Sequence, residues 1–96
     1  MERLNSGCEF FLKRLRGLYN KYFKNDNCHS NLESYRFCKP EYIHANYFPD
    51  LLSEHCDFLY NALYEAGLIR PSFDINNEPD ATYLTKEGIS YIKKYL

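Results

Sequence analysis

Across the segment "LYNALYEAGLIRPSF", residues 59–73, the apolar spacing changes from helical to extended at a single glycine. Upstream, Leu52, Cys56, Leu59 and Leu63 recur at intervals of 4, 3 and 4 within "LLSEHCDFLYNALYEA", which places them on one face of a helix. Gly67 follows where a left-handed cap is needed, because without a Cβ it adopts positive φ at no steric cost. "LIRPSFDI" then reads as a strand, restricted to a sheet edge by Pro71, which has no N–H to donate. The polar turn "NNEPDA" and the returning "TYL" complete a hairpin over residues 68–84. Thr85 opens a last helix as its N-cap, with Glu87 in the first turn and Lys93 and Lys94 near the end, each charge suited to the helix dipole at its position. Ile89, Ile92 and Leu96 continue that helix's apolar face, and Gly88 inside it is expected to permit close packing against the hairpin. This order predicts a mostly α domain with a small β-hairpin, an α+β class.

The N-terminal half is helical by the same logic. "SGCE" forms a capping box, with Ser6 at the cap and Glu9 three residues later. Cys8, Phe11, Leu12, Leu15, Leu18, Tyr19, Tyr22 and Phe23 make one broad stripe, while Lys13, Arg14, Arg16, Lys21 and Lys24 fill the rest of the circumference. The turn formers of "NDNCHSN", residues 25–31, end that helix, and residues 32–38 read as a short strand or an irregular connection. Pro40 suits a first helical position and predicts a short helix over 40–47. "FPD" breaks it, and Pro49–Asp50 opens the third helix. Ninety-six residues suffice for one core, so residues 1–96 are expected to be a single domain.

No stretch approaches the roughly 18 apolar residues of a membrane span. Glu9 and the Lys13–Arg16 cluster interrupt any leader-like apolar run, so a cytoplasmic location with no membrane contact is expected. Cys8, Cys28, Cys38 and Cys56 are then expected as reduced thiols.

The net charge of −1 conceals an uneven distribution. Residues 1–24 hold six basic side chains against two acidic ones, a balance of +4. Residues 40–70 hold Glu41, Asp50, Glu54, Asp57 and Glu65 against Arg70 alone, a balance of −4. The chain is dipolar along its length.

The order helix, short segment, helix, turn, long helix, hairpin, helix resembles the winged helix-turn-helix superfamily over roughly residues 8–96. "LYNALYEAGLI" is similar to the end of the third helix in bacterial winged-helix regulators. "YLTKEGISYIKKYL" is similar to the strand-to-helix exit of many such domains, including small bacterial and phage families. It also resembles the winged helix shared by plectins and a eukaryotic small-subunit ribosomal protein. The same residues also suit other small α+β folds in which a helix packs on a strand.

The resemblance implies a helix-turn-helix whose third helix would probe a DNA major groove with Arg, Lys, Asn, Gln or Ser. Here the matching solvent positions are Asp50, Ser53, Glu54 and Asp57, with Asn61 and Tyr64 farther along, and no lysine or arginine occurs between Pro40 and Ile69. Affinity for DNA rests on cations that replace counterions at phosphate, so this helix would repel a duplex. The hairpin turn adds Asp74, Glu78 and Asp80, with only Arg70 at its base. Asp50, Glu54 and Asp57 fall at i, i+4 and i+7, an acidic stripe flanked by Tyr60 and Tyr64. The stripe suits a basic protein surface, including one that grips nucleic acid, although a solvated face is the ordinary meaning of such charges. The leading expectation is therefore a non-enzymatic protein–protein interaction module. The family resemblance adds the picture of a phage or mobile-element accessory factor that inhibits a nucleic-acid-handling complex.

Two alternatives stay open. One is a dimeric DNA-binding regulator that contacts anions through Lys13, Arg14, Arg16, Lys21 and Arg70. The other is an RNA- or ribosome-associated module. Phe10, Phe58 and Tyr95 lie off the main stripes and are expected as spare apolar surface for self-association, such as a homodimer. Cys28–His29, His44, Cys38 and His55–Cys56 supply zinc-ligand types without the usual spacing of paired ligands, so no metal or cofactor is expected. No nucleophile pairing and no phosphate-cradling glycine loop are recognisable, and no catalytic residue is assigned.

Overall fold

The computed structural model describes residues 3–23 and 36–96. Helix α1 spans Ser6–Leu18 and winds on through a wider π turn at Tyr19–Phe23. Its cap is Asn5 rather than Ser6: the Asn5 Oδ1 accepts the Cys8 N–H at 2.8 Å. The capping box expected of Ser6 and Glu9 is not formed, because Asn5 satisfies the free donor from one residue upstream and Glu9 turns instead to Arg3 and Tyr91. Cys8, Phe11, Leu12, Leu15 and Tyr19 are buried along the anticipated stripe. The turn-forming run at 25–31 and the start of the segment at 32–38 lie outside the described residues. The end of that segment makes one strand-like pairing: the Phe37 N–H donates to the Thr82 carbonyl at 2.7 Å, and Thr82 returns a bond at 3.2 Å.

Pro40 opens a 3-10 turn, Pro40–Tyr42, that runs into α2, Ile43–Tyr47. Helix α3 spans Ser53–Glu65 and starts later than its proline suggested. Leu52 is extended at the cap, with ψ 142°, and Asp50 sits in the preceding turn. Leu52 was expected in the core stripe but is 78% exposed, because the stripe only begins once the helix does. Cys56, Leu59 and Leu63 are buried as their spacing requires. Gly67 ends the segment with φ 79°.

Strands β1, Ile69–Phe73, and β2, Pro79–Leu84, form an antiparallel hairpin with Ile69 opposite Leu84 and Pro71 opposite Thr82. Thr85 then caps α4, Lys86–Tyr95, by accepting the Gly88 N–H at 3.0 Å. Among the described residues the fold is thus four α-helices and one two-stranded antiparallel sheet. Phe11 and Phe48 stack at 4.4 Å in the middle of the core, with Phe37, Leu12, Leu15, Ile43, Leu59, Leu63, Leu68, Ile69 and Leu84 around them. Each such side chain contributes about 1.5–3 kcal/mol by leaving water, so this cluster is what orients α3 and the hairpin. Among the described residues no helix is long and apolar enough to cross a membrane.

Candidate interaction surface on the third helix

Because Cys56, Leu59 and Leu63 face the core, helical geometry turns residues 54, 58, 61 and 65 directly outward. Glu54, Phe58, Asn61 and Glu65 are all exposed and repeat at intervals of 4, 3 and 4, a line on the side opposite the buried stripe. Ser53, Asp57 and Tyr64 are exposed on one flank of that line. Phe58 is 63% exposed and Tyr64 43%, so two aromatic rings stand among three carboxylates. Thirteen helical residues give this face a length of about 20 Å. Among the described residues, the two ion pairs are Arg3–Glu9 and Arg14–Asp50, and neither involves Glu54, Asp57 or Glu65.

Asp50 does not belong to this face. It precedes the helix, and the Arg14 guanidinium of α1 grips it through two donors, at 2.5 and 3.2 Å. Those hydrogen bonds hold the Asp50 carboxyl below its ordinary range. Arg14 also donates to the Tyr47 carbonyl at 3.2 Å, and its guanidinium lies 4.4 Å from the Phe10 ring centre and 5.0 Å from that of Phe48. The expectation of an uncompensated stripe from Asp50 through Asp57 is therefore corrected: its first carboxylate is neutralised by a cation 36 positions earlier in sequence. The outward acidic set is Glu54, Asp57 and Glu65.

The proposed anion contacts fare unequally. Lys13, Lys21 and Arg70 are exposed, Arg16 is half-buried, and Arg14 is engaged by Asp50. Arg70 sits on β1 opposite Tyr83, on a different element from the other four. Tyr60, expected beside the acidic stripe, is half-buried, and its hydroxyl pairs with the Thr82 Oγ1 at 3.1 Å. Of the apolar residues expected to be spare, Phe58 is open, Phe10 lies under Arg14 at 37% exposure, and Tyr95 is partly buried against Tyr91 and Arg3. Phe58 is the residue that a purely acidic description of α3 leaves out. Its signal was an aromatic residue two positions out of phase with Cys56 on the core stripe.

Cys8, Cys38 and Cys56 are free thiols. Burial raises all three, pushing Cys56 to about 11 with help from the Asp57 charge, so none is a ready thiolate nucleophile. The imidazole of His44 hydrogen-bonds the Leu51 carbonyl at 2.6 Å. Among the described residues no three His, Cys, Asp or Glu side chains converge as metal ligands, and Cys28 and His29 lie outside those residues. The arrangement leaves an exposed face of mixed acidic and aromatic character on α3. Comparison with family models, with curated proteins and with solved structures finds no match.

Proposed function

We propose that this chain is a non-enzymatic protein–protein interaction module on a winged-helix scaffold, which docks the outward face of α3 on a basic protein surface. The element order supports the scaffold: α1, a short segment bridging to β2 at Phe37, α2, α3, the hairpin and α4. The observation that carries the function is the line Glu54–Phe58–Asn61–Glu65, with a largely exposed ring between carboxylates that have no cation partner among the described residues. An aromatic side chain that leaves water on binding supplies about 1.5–3 kcal/mol. The carboxylates add encounter rate and partner choice by favouring cationic surface and rejecting phosphate. A surface that ordinarily grips nucleic acid has the matching charge.

The test is partner capture by the triple variant Glu54→Lys, Asp57→Lys, Glu65→Lys and by Phe58→Ala. The charge reversal should weaken binding at least tenfold and Phe58→Ala by about tenfold, with thermal stability unchanged, since all four side chains are exposed. Partner binding that survives both variants removes this reading. A duplex retained at low salt, and lost when Lys13 or Arg16 is reversed, would move the function to α1 and nucleic acid.

A further inference from the structure

Ile75 is 99% exposed at the apex of the hairpin, so it touches nothing in its own molecule. The turn that carries it is tightly bonded. The Asp74 Oδ1 accepts the N–H groups of Asn76 at 2.8 Å and Glu78 at 3.0 Å. The Asp74 N–H donates to the Glu78 carbonyl and the Asn77 N–H to the Asp74 carbonyl, both at 2.9 Å. Asn77 takes the left-handed φ of 63° that closes the turn. Below it, the Ser72 hydroxyl donates to Asp80 at 2.6 Å. A turn fixed in this way holds its isoleucine out in water at a standing cost, and a preorganised apolar side chain is what an anchor requires. Phe73, 53% exposed at the end of β1, widens the apolar tip.

The tip is ringed by Asp74, Glu78 and Asp80, and residues 71–85 contain no cation. Phosphate surfaces are therefore poor hosts for it, whether nucleic acid or anionic lipid. The complementary host is an apolar hollow with a cationic rim, and the chain carries one. Lys86, Glu87, Ser90, Tyr91, Lys94 and Tyr95 of α4 line a hollow of about 270 Å³, roomy enough for one side chain. Lys86, Ser90 and Lys94 stand on successive turns of one helix face, and the Lys94 ammonium lies 5.2 Å from the Tyr95 ring centre. Among the described lining residues Glu87 is the one carboxylate, against two lysines, while the Tyr91 hydroxyl donates to Glu9 beside them. The six residues of β2 separate the apex from α4 by roughly 20 Å of extended chain.

We infer that the Ile75 apex of one copy seats in the α4 hollow of a second copy, with Glu78 and Asp80 facing Lys86 and Lys94. The contact joins unlike surfaces, so it is exchanged reciprocally by two copies or repeated head to tail. It uses neither α3 nor a basic partner, and stands or falls separately from the proposed function.

Sedimentation velocity of the full chain over a concentration series, at low and physiological salt, tests it. The expected result is concentration-dependent association that weakens with salt. Ile75→Ser alone, the pair Glu78→Lys with Asp80→Lys, and the pair Lys86→Glu with Lys94→Glu should each reduce association at least tenfold, with melting temperature unchanged. Mixing the two charge-reversed chains should restore it, because each supplies the face the other now matches. A chain monomeric at every concentration overturns the inference. So does association indifferent to Ile75→Ser, or a mixture that fails to recover. Binding to phosphatidylglycerol vesicles that depends on Ile75 would assign the tip to a membrane and overturn it as well.

Discussion

Gly17 and Gly88 each interrupt an amphipathic helix, and their surroundings give them opposite meanings. A Cβ on Gly88 would overlap the Leu68 carbonyl, because α4 crosses the chain there at backbone distance. Gly88→Ala should destabilise the fold by about 2 kcal/mol, the overpacking outweighing roughly 1 kcal/mol of gained helix propensity. Among the described residues, Gly17 has no neighbouring atom within 4 Å of such a Cβ. Gly17→Ala should therefore stabilise by up to about 1 kcal/mol. Thermal melts of the two variants should move in opposite directions, by several degrees each. Two glycines that look alike in sequence are thus separated by a single close approach.

Between elements, Thr85 is the joint. Its hydroxyl donates to the Gly67 carbonyl at 2.7 Å and accepts the Gly88 N–H at 3.0 Å, while its own N–H donates to Leu68 at 3.1 Å. One side chain, 8% exposed, thereby links the end of α3 to the start of α4. Thr85→Ala loses both side-chain bonds and should cost about 2 kcal/mol, whereas Thr85→Ser keeps them and should cost under about 1 kcal/mol. Urea titration should show the two midpoints in that order with an unchanged slope. The Thr85 cap, the Gly67 turn and the outer ends of the hairpin were legible because each is chemistry among near neighbours in the chain. The turn expected over 76–81 lies earlier, since β2 already starts at Pro79 and Ile75 belongs to the turn. The start of α3 was not legible: Pro49 and Asp50 form a turn instead of the first helical residues, and Asp50 pairs with Arg14 from another helix. The cap of α1 went to Asn5 over Ser6 because two competent caps stood side by side. The carboxylates of the candidate face could be counted in advance, but which of them keep their charge uncompensated required the packing of α1 against α3. Tyr95 looked spare for the same reason: Arg3, which covers it, arrives from the other end of the chain.

For the molecule as a whole, the first and last helices are tied together by one polar cluster. The Arg3 guanidinium pairs with the Glu9 carboxylate at 2.7 Å, the Tyr91 hydroxyl donates to the same carboxylate, and the Leu4 N–H donates to the Tyr91 oxygen at 2.7 Å. Arg3, and then Tyr91, hold the Glu9 carboxyl below its ordinary value near 4.5. A carboxyl lowered in the folded state contributes stability that is present above its unfolded value and lost as pH falls through the folded one. Burial raises Tyr91 and Tyr60 above their ordinary value near 10, so their contribution is lost as pH climbs beyond it. Urea midpoints should therefore form a plateau that declines on the acid side below the ordinary glutamate range and on the alkaline side above the tyrosine range. Glu9→Gln should lower the plateau and flatten the acid limb. The position of Arg14 carries a further consequence. Its guanidinium lies over the rings of both Phe10 and Phe48 and holds the carboxylate of the turn that precedes the third helix. Replacing it in a search for phosphate contacts would also release Asp50 and the Tyr47 carbonyl just ahead of α3, so any binding lost would mix a missing charge with a loosened turn.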